Sequence, residues 1–189
     1  SECLVGSEMC IRDSHEVIYE IYEDDLSVVK EIKEIIIMKE KEYMRLESDS
    51  IGTMEVPEDA YYGVQALRAK ENFPITGTKL HPVFIKNLAK IKRAAAITNR
   101  KAGRLKPEIA NAIEASANEV ICGMFEKEFI VDGIQGGAGT SANMNINEVI
   151  ANRAIEMLCG KKGDYSIVHP NDHVNMAQST NCLLYTSPS

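Results

Sequence analysis

The chain has 189 residues, a formal net charge of -7 and 26% charged residues, with no long basic run. This acidity argues against a nucleic-acid partner, and no apolar run approaches the ~20 residues that cross a bilayer, which argues against a membrane partner. The cysteines show neither metal-ligand spacing nor a disulfide framework, so a cytoplasmic protein is predicted.

The central part of the chain predicts a mainly α fold that begins with an extended arm. Residues 48–65 combine Gly, Pro and paired Tyr with little helical period, which indicates extended chain with short turns. Helices are predicted from Pro82 to Lys101 and from Pro107 to Ile121, because Pro suits a first helical turn. Gly103 and Gly123 suit their stops. The apolar stripe predicted for the first of these helices consists of Phe84, Ile85, Leu88, Ile91 and Ala95.

A third helix is predicted from Ser141 to Leu158, with Gly160 just beyond its end. Residues 125–135 between the helices predict a loop with a short strand at 129–131. Arg153 and Glu156 lie three residues apart and are predicted to pair on the third helix. The cations of the first helix predict a solvated basic face: Lys86, Lys90, Lys92 and Arg93.

Two polar segments differ in composition from ordinary core and surface. The first polar segment is residues 136–145 (GGAGTSANMN), and the second is residues 169–181 (HPNDHVNMAQSTN). A carboxylate is held by several convergent neutral donors and by the positive end of a helix, and both segments offer these groups. They therefore indicate a site for a small dicarboxylate. The spacing alone is also explained by an ordinary helix start capped by Thr140 or Ser141, and it favours that alternative.

The two segments resemble the first two signature regions of the aspartase/fumarase superfamily, and the resemblance runs from about Met44 to Asn181. The run AYYGVQALRA at 60–69 and the run ENFPITG at 71–77 resemble the aspartase branch, because fumarases tend to carry Trp and a Gln-Thr-Gln run in the former. The resemblance favours a binding role over a simple cap. It implies a mainly α fold: the N-terminal domain and the start of the central helical region of this superfamily, with a short extended arm.

The resemblance also implies site residues. Thr140 matches a Thr that contacts the substrate amino group, and Asn181 matches an Asn near that group. Ser179 and Thr180 match hydroxyl residues that hold the β-carboxylate. Ser141 and Asn143 extend the candidate set in the first segment. In the second segment, a loop associated in fumarases with secondary dicarboxylate binding is matched by His169, Asn171 and Asp172.

The activity that the resemblance implies is anti elimination of ammonia from L-aspartate to give fumarate, through an aci-carboxylate and without a cofactor. The superfamily's catalytic base is a Ser in a Gly-Ser-Ser-x-Met-Pro-x-Lys-x-Asn-Pro loop, and this sequence contains no such run. No catalytic residue is therefore assigned, and the chain as written is expected to be inactive. The parent protein is expected to be a homotetramer. Alternatives are a fumarate hydratase, another superfamily lyase, or a non-catalytic structural protein of the lens crystallin kind.

A zinc site is the competing interpretation of the second polar segment. His169 and His173 are four residues apart and could share one helical face. Pro170 interrupts that turn, however, and no general-base Glu lies beside His169. A helix start capped by Asn171 or Asp172 is preferred, and no metal is expected.

Both ends of the chain are predicted to be translated from DNA that is foreign to the gene. Residues 182–187 can be back-translated as TGTCTCTTATACACATCT, whose reverse complement lies within a back-translation of residues 8–14. This pairing is typical of a translated sequencing adapter, which assigns residues 1–14 and 182–189 to adapter. Residues 15–43 are predicted to be upstream DNA translated in frame, with a genuine N-terminal extension as the alternative. Residues 44–181 then form the N-terminal part of an aspartase-like lyase.

Overall fold

The computed structural model describes residues 43–135 and 139–179. The chain divides into two units, residues 1–43 and 44–189. The strands and helices of the second unit are, in chain order, β1 (Met44–Ser48), β2 (Thr53–Pro57), α1 (Val64–Asn72), α2 (Pro82–Lys101), α3 (Pro107–Ile121) and α4 (Thr140–Met157). Among these described elements, no helix has the length and apolar character that a membrane span requires.

The extended arm is a β-hairpin, which the sequence did not predict. β1 and β2 pair antiparallel, with Arg45 opposite Val56. The alternation of β1 is inverted, because Arg45 and Glu47 are buried whereas Leu46 is 72% exposed. Arg45 is satisfied inside by Glu47 Oε1 at 2.8 Å and by four backbone carbonyl oxygens. Strands are predicted from apolar residues at alternate, inward positions. In β1 the inward positions carry charged residues and Leu46 faces outward, so this pattern does not predict the strand.

The predicted helices at Pro82–Lys101 and Pro107–Ile121 are confirmed as α2 and α3, and α4 lies within one residue of its predicted bounds. The earlier helix α1 was not predicted. α4 is the centre of the fold, because its residues 142–152 are all buried, and α1, α2 and α3 pack around it. Its inward residues join one hydrophobic core with Ile85, Leu88, Ile113 and Val120.

Two of three local predictions are wrong. The described chain forms a 3₁₀ turn at Glu126–Glu128 and a single bridge between Lys79 and Asp132, with no strand at 129–131. Gly160 lies just beyond the end of α4, as predicted, and is needed there because a Cβ would lie 2.4 Å from Ile167 Cδ1, while the left-handed residue is Cys159 (φ 60°). The buried stripe of α2 passes through Lys92 and Asn99 instead of Ile91 and Ala95.

Gly63 is the N-cap residue of α1, and its surroundings should not tolerate a side chain. A Cβ at this position would lie 2.4 Å from the Tyr165 hydroxyl oxygen and 2.7 Å from Glu47 Oε2. Gly63→Ala must therefore displace buried, hydrogen-bonded groups, and overpacking of this kind costs about 1–3 kcal/mol. We expect the urea midpoint of the chain to fall accordingly. An unchanged midpoint would show that the Tyr165 and Glu47 side chains move aside without cost.

Candidate functional site

The first polar segment opens α4 without a side-chain cap from its own hydroxyls. Gly139 adopts φ 75° and is the N-cap residue, so the prediction that Thr140 or Ser141 caps the helix is wrong. The N–H of Ala142 instead donates to Gln135 Oε1 at 2.9 Å, and a side chain from the preceding loop thus takes the capping role. Within the described residues, the hydroxyls of Thr140 and Ser141 have no hydrogen-bond partner. Gly136, Gly137 and Ala138 lie outside the described residues.

The second polar segment begins with a π-helical turn at Pro170–Val174, and His169 caps it. His169 Nδ1 accepts from the N–H groups of Asn171 and Asp172, both at 3.2 Å, so the predicted cap by either of those two residues is wrong. His173 Nδ1 accepts from the N–H of His169 at 2.9 Å, and burial lowers the pKa of His173. In the described ranges, no group of three or more His, Cys, Asp or Glu side chains could hold a metal ion.

The chain then turns sharply to present Ser179. Asn175 Nδ2 donates to the carbonyl of Gln178 at 3.1 Å, and Ala177 is left-handed with φ 60°. The Gln178 side chain bonds back to the carbonyl of Val174 at 2.9 Å. Ser179 emerges exposed, and its hydroxyl has no partner in the described part of the chain. Thr180 and Asn181 lie outside the described residues.

A buried lysine joins the two polar segments. Lys92 Nζ donates to Asn143 Oδ1 and to Asn175 Oδ1, both at 2.7 Å, while Asn143 Nδ2 donates to Asn175 Oδ1 at 3.2 Å. Lys92 is 0% exposed, so its assignment to a solvated basic face is wrong. The helical period that places Ile85, Leu88 and Ala96 inward also places residue 92 inward, and this spacing could have revealed it.

This contact, which we call the Lys92 joint (Lys92, Asn143 and Asn175), determines which predicted residues come together. Asn143 is buried inside the joint. Thr140 lies three residues before Asn143 on α4, and Ser179 lies four residues after Asn175, so a short stretch of chain connects each of these residues to the joint. His169, Asn171 and Asp172 lie at the other end of the π-helical turn.

Asp132 anchors the end of the 71–77 run beside the first polar segment. Its carboxylate accepts from the N–H groups of Ile134, Thr76 and Gly77 at 2.7–2.8 Å, and from the Thr76 hydroxyl at 2.7 Å. These donors hold the pKa of Asp132 well below its usual range. Gln135, which caps α4, follows three residues later, so this anchor supports the loop that leads into the site.

The model of a protein family described as lyase matches residues 52–187. The chain belongs to this lyase family. It is 56% identical over 138 residues to the aspartate ammonia-lyase of a Bacillus species, covering 73% of this chain and 30% of that relative. It is 52% identical over 143 residues to the class II fumarate hydratase of Halobacterium salinarum, covering 76% of this chain and 30% of that relative.

A solved structure named fumarate lyase:delta crystallin, from Brucella melitensis, matches the lyase chain with a TM-score of 0.75 and 49% sequence identity. The match covers 76% of this chain and 34% of that one. The lyase chain therefore spans about a third of the length of these relatives. The mainly α fold and the superfamily that the sequence predicted are confirmed.

A second buried charged residue of the lyase chain, Glu148, was not predicted from the sequence. Glu148 in the middle of α4 accepts from the N–H groups of Gly63, Gln65 and Ala66 at 2.9–3.0 Å. It thereby satisfies the free donors at the start of α1, and burial raises its pKa to about 7 against the opposing effect of those donors. The signal in the sequence is that Glu148 is the one charged residue in the run 142–152, whose other residues are apolar or Asn.

The described part of the lyase chain also has a cavity of about 470 Å³ between the start of α2 and the end of α3. Its walls are formed by side chains such as Leu80, Ile85, Val120 and Phe129. None of the predicted site residues that the structure describes lines this cavity.

The Lys92 joint should make stability depend on pH. Burial lowers the pKa of Lys92 from 10.5 to about 7, so between these values the unfolded chain binds more protons than the folded one. The free energy of unfolding should then rise with pH from about 7 towards 10, by up to about 1.4 kcal/mol per unit. Urea titrations at several pH values would measure this slope. Lys92→Met should flatten it, whereas Lys90→Met, an exposed change on the same helix, should leave it as in wild type.

Proposed function

We propose that this chain is the N-terminal part of an aspartate ammonia-lyase, which eliminates ammonia from L-aspartate to give fumarate. The observation that carries the proposal is the Lys92 joint, which brings the two polar segments into contact and leaves the hydroxyls of Thr140 and Ser179 without partners in the described residues. Hydroxyls and amides gathered beside a helix start suit a dicarboxylate. The high identity to an aspartate ammonia-lyase supports this choice among the lyases.

In this proposal the two segments bind one substrate between them: hydroxyls of the second segment hold the β-carboxylate, and residues of both segments lie near the amino group. Ser179 and Thr180 donate to the β-carboxylate, where negative charge grows as a proton leaves Cβ and the aci-carboxylate forms. Donors aimed at that charge accelerate the step only if they bind the transition state more tightly than aspartate itself. Thr140 and Asn181 lie near the amino group, with Ser141 beside them. The base belongs to a Ser loop elsewhere in the whole protein, so this chain alone has no lyase activity.

A second dicarboxylate contact is proposed at the π-helical turn. His169, Asn171 and Asp172 lie at its start, and both Asn171 and Asp172 are exposed. These residues form the secondary binding loop of the proposed lyase. The whole protein is proposed to be a cytoplasmic homotetramer that acts in aspartate metabolism without an organic cofactor, a nucleic acid or a membrane.

The native segment is proposed to be residues 44–181, with adapter at residues 1–14 and 182–189 and upstream DNA at 15–43. Long-read sequencing across the parent locus tests this assignment. We expect the reading frame to continue beyond Asn181 into a Gly-Ser-Ser-x-Met-Pro-x-Lys-x-Asn-Pro loop. A locus that ends at Ser189 would overturn it.

The decisive experiment is to complete the gene and assay the purified protein. Fumarate formation is followed by its ultraviolet absorbance, with L-aspartate or L-malate as substrate and with ammonia release measured in parallel. Turnover of L-aspartate alone supports the proposal. Turnover of L-malate alone would favour the second candidate, a fumarate hydratase. This candidate is supported by the 52% identity to the class II fumarate hydratase of Halobacterium salinarum. Turnover of neither would favour a non-catalytic protein.

A further inference from the structure

Lys92 is an unusual residue for the position it occupies. It lies on the inward face of α2 between Leu88 and Ala96, both buried, and is itself 0% exposed. A buried ammonium is costly unless it is well hydrogen-bonded, and an apolar residue at this position would continue the stripe. Lys92 instead places its two short bonds on amide oxygens from two separate parts of the chain.

The two acceptors each belong to one polar segment. Asn143 lies one turn into α4 from Thr140, so its position fixes the start of that helix. Asn175 ends the π-helical turn and bonds to the carbonyl of Gln178, the residue before Ser179. Movement of either Asn relative to Lys92 would therefore move one of the candidate binding hydroxyls.

A second contact from α2 supports the same arrangement. Asn99 lies two helical turns after Lys92 and donates to the carbonyl of Met176 at 3.1 Å. The second polar segment is thus bonded to α2 at consecutive residues, 175 and 176, while the first segment is bonded only through Lys92 among the described polar contacts of α2. Lys92 is accordingly the group of α2 that binds both segments, and it does so at the point where Asn143 Nδ2 also donates directly to Asn175 Oδ1.

We propose that Lys92 is a positioning residue of the lyase: its ammonium group sets the separation between the Thr140 and Ser179 hydroxyls by binding Asn143 and Asn175 together. This inference rests on the proposed function. Lys92 does not touch the substrate, since it is enclosed in the core. It acts through the two asparagines, and catalysis is sensitive to such placement because a shift of about 1 Å can cost ~10²-fold in rate.

The test uses the completed protein with three variants. Lys92→Met keeps an unbranched side chain but removes all donors, and Asn175→Ala removes one acceptor at a half-buried turn where folding is less at risk. Lys90→Met is the matched control, because it makes the same chemical change on the exposed face of α2. We expect Lys92→Met and Asn175→Ala to lower kcat about tenfold or more with little change in KM, since the displaced donors act on developing charge. Lys90→Met should match wild type.

The double variant distinguishes positioning from general stability. If Lys92 acts through Asn175, the two substitutions together should reduce kcat little more than the larger single loss. Folding is monitored by urea midpoints, and rates are compared where each variant is fully folded. A folded Lys92→Met enzyme with kcat within twofold of wild type would overturn the proposal, as would strict additivity of the two losses.

A readout independent of turnover separates this inference from the proposed function. In the 189-residue chain itself, backbone amide resonances of Thr140 and Ser179 should both shift in Asn175→Ala and in Lys92→Met, and neither should shift in Lys90→Met. Wild-type protein without lyase activity would refute the function while these shifts still report the joint. Unchanged Thr140 and Ser179 resonances in the variants of the 189-residue chain, together with lyase activity of the completed protein, would refute the joint alone.

Discussion

Glu148→Ala is expected to destabilise the chain by about 3–5 kcal/mol, because it leaves three backbone donors unpaired and each buried, unpaired donor costs about 1–3 kcal/mol. Glu148 lies in the fully buried part of α4, and its carboxylate accepts three backbone N–H groups at the start of α1. Alanine would leave those donors unpaired and open a cavity between the two helices. Urea unfolding of the chain, followed by circular dichroism, measures the loss.

Two companion variants make the result specific. Glu148→Gln keeps the shape and one acceptor oxygen, so its loss should be smaller. Glu108→Ala makes the same change on the exposed first turn of α3 and should cost no more than about 0.5 kcal/mol. Equal losses in Glu148→Ala and Glu108→Ala would contradict the capping role.

The loss in Glu148→Ala should also be larger at pH 5 than at pH 8. Burial raises the pKa of Glu148 from 4.5 to about 7, so the folded chain holds this proton more tightly than the unfolded chain. The stabilisation is therefore full below about pH 4.5 and is lost as pH rises through about 7. Nearby Glu47 contributes to the raised pKa, and its own contacts with Arg45 and Tyr165 remain in the variant.

Ser179→Ala in the completed protein is expected to lower kcat/KM for L-aspartate by about 10²–10³-fold. Removing one donor aimed at a developing oxyanion costs about that much in other enzymes, because the donor is placed before the charge forms. Ser179 suits this role since it is exposed after the left-handed Ala177 and its hydroxyl has no partner in the described residues. Steady-state kinetics should show the loss mainly in kcat.

Matched substitutions control for the loss of a hydroxyl in general. Ser166→Ala removes an exposed hydroxyl that bonds only within its own turn, to Asp164, and should leave kcat/KM unchanged. Thr140→Val tests the first polar segment in the same way, with the exposed Thr98→Val as its control on α2. If Ser179→Ala retained wild-type kcat/KM while the enzyme turned over aspartate, the assignment of Ser179 would be wrong.

Local signals in the sequence determined the bounds of three helices and the family. Pro82 and Pro107 open α2 and α3, and Gly103 and Gly123 follow their ends with φ of 69° and 90°. These signals act through the conformations of single residues, so they can be read without knowing what the chain packs against. The two polar segments likewise indicated a dicarboxylate site and carried the resemblance, and the lyase family was thereby predicted.

The partners of the buried ions depend on the fold. Lys92 bonds to residues 51 and 83 positions away, and Glu148 to residues 82–85 positions away. Bonds between residues so far apart in the sequence produce no periodic pattern within either segment. Charged residues at inward positions also interrupt the apolar pattern that normally marks a buried face. The hairpin was missed for the same reason, since Arg45 and Glu47 point inward. Burial of an ion depends on partners that the fold supplies, and those partners are distant in sequence.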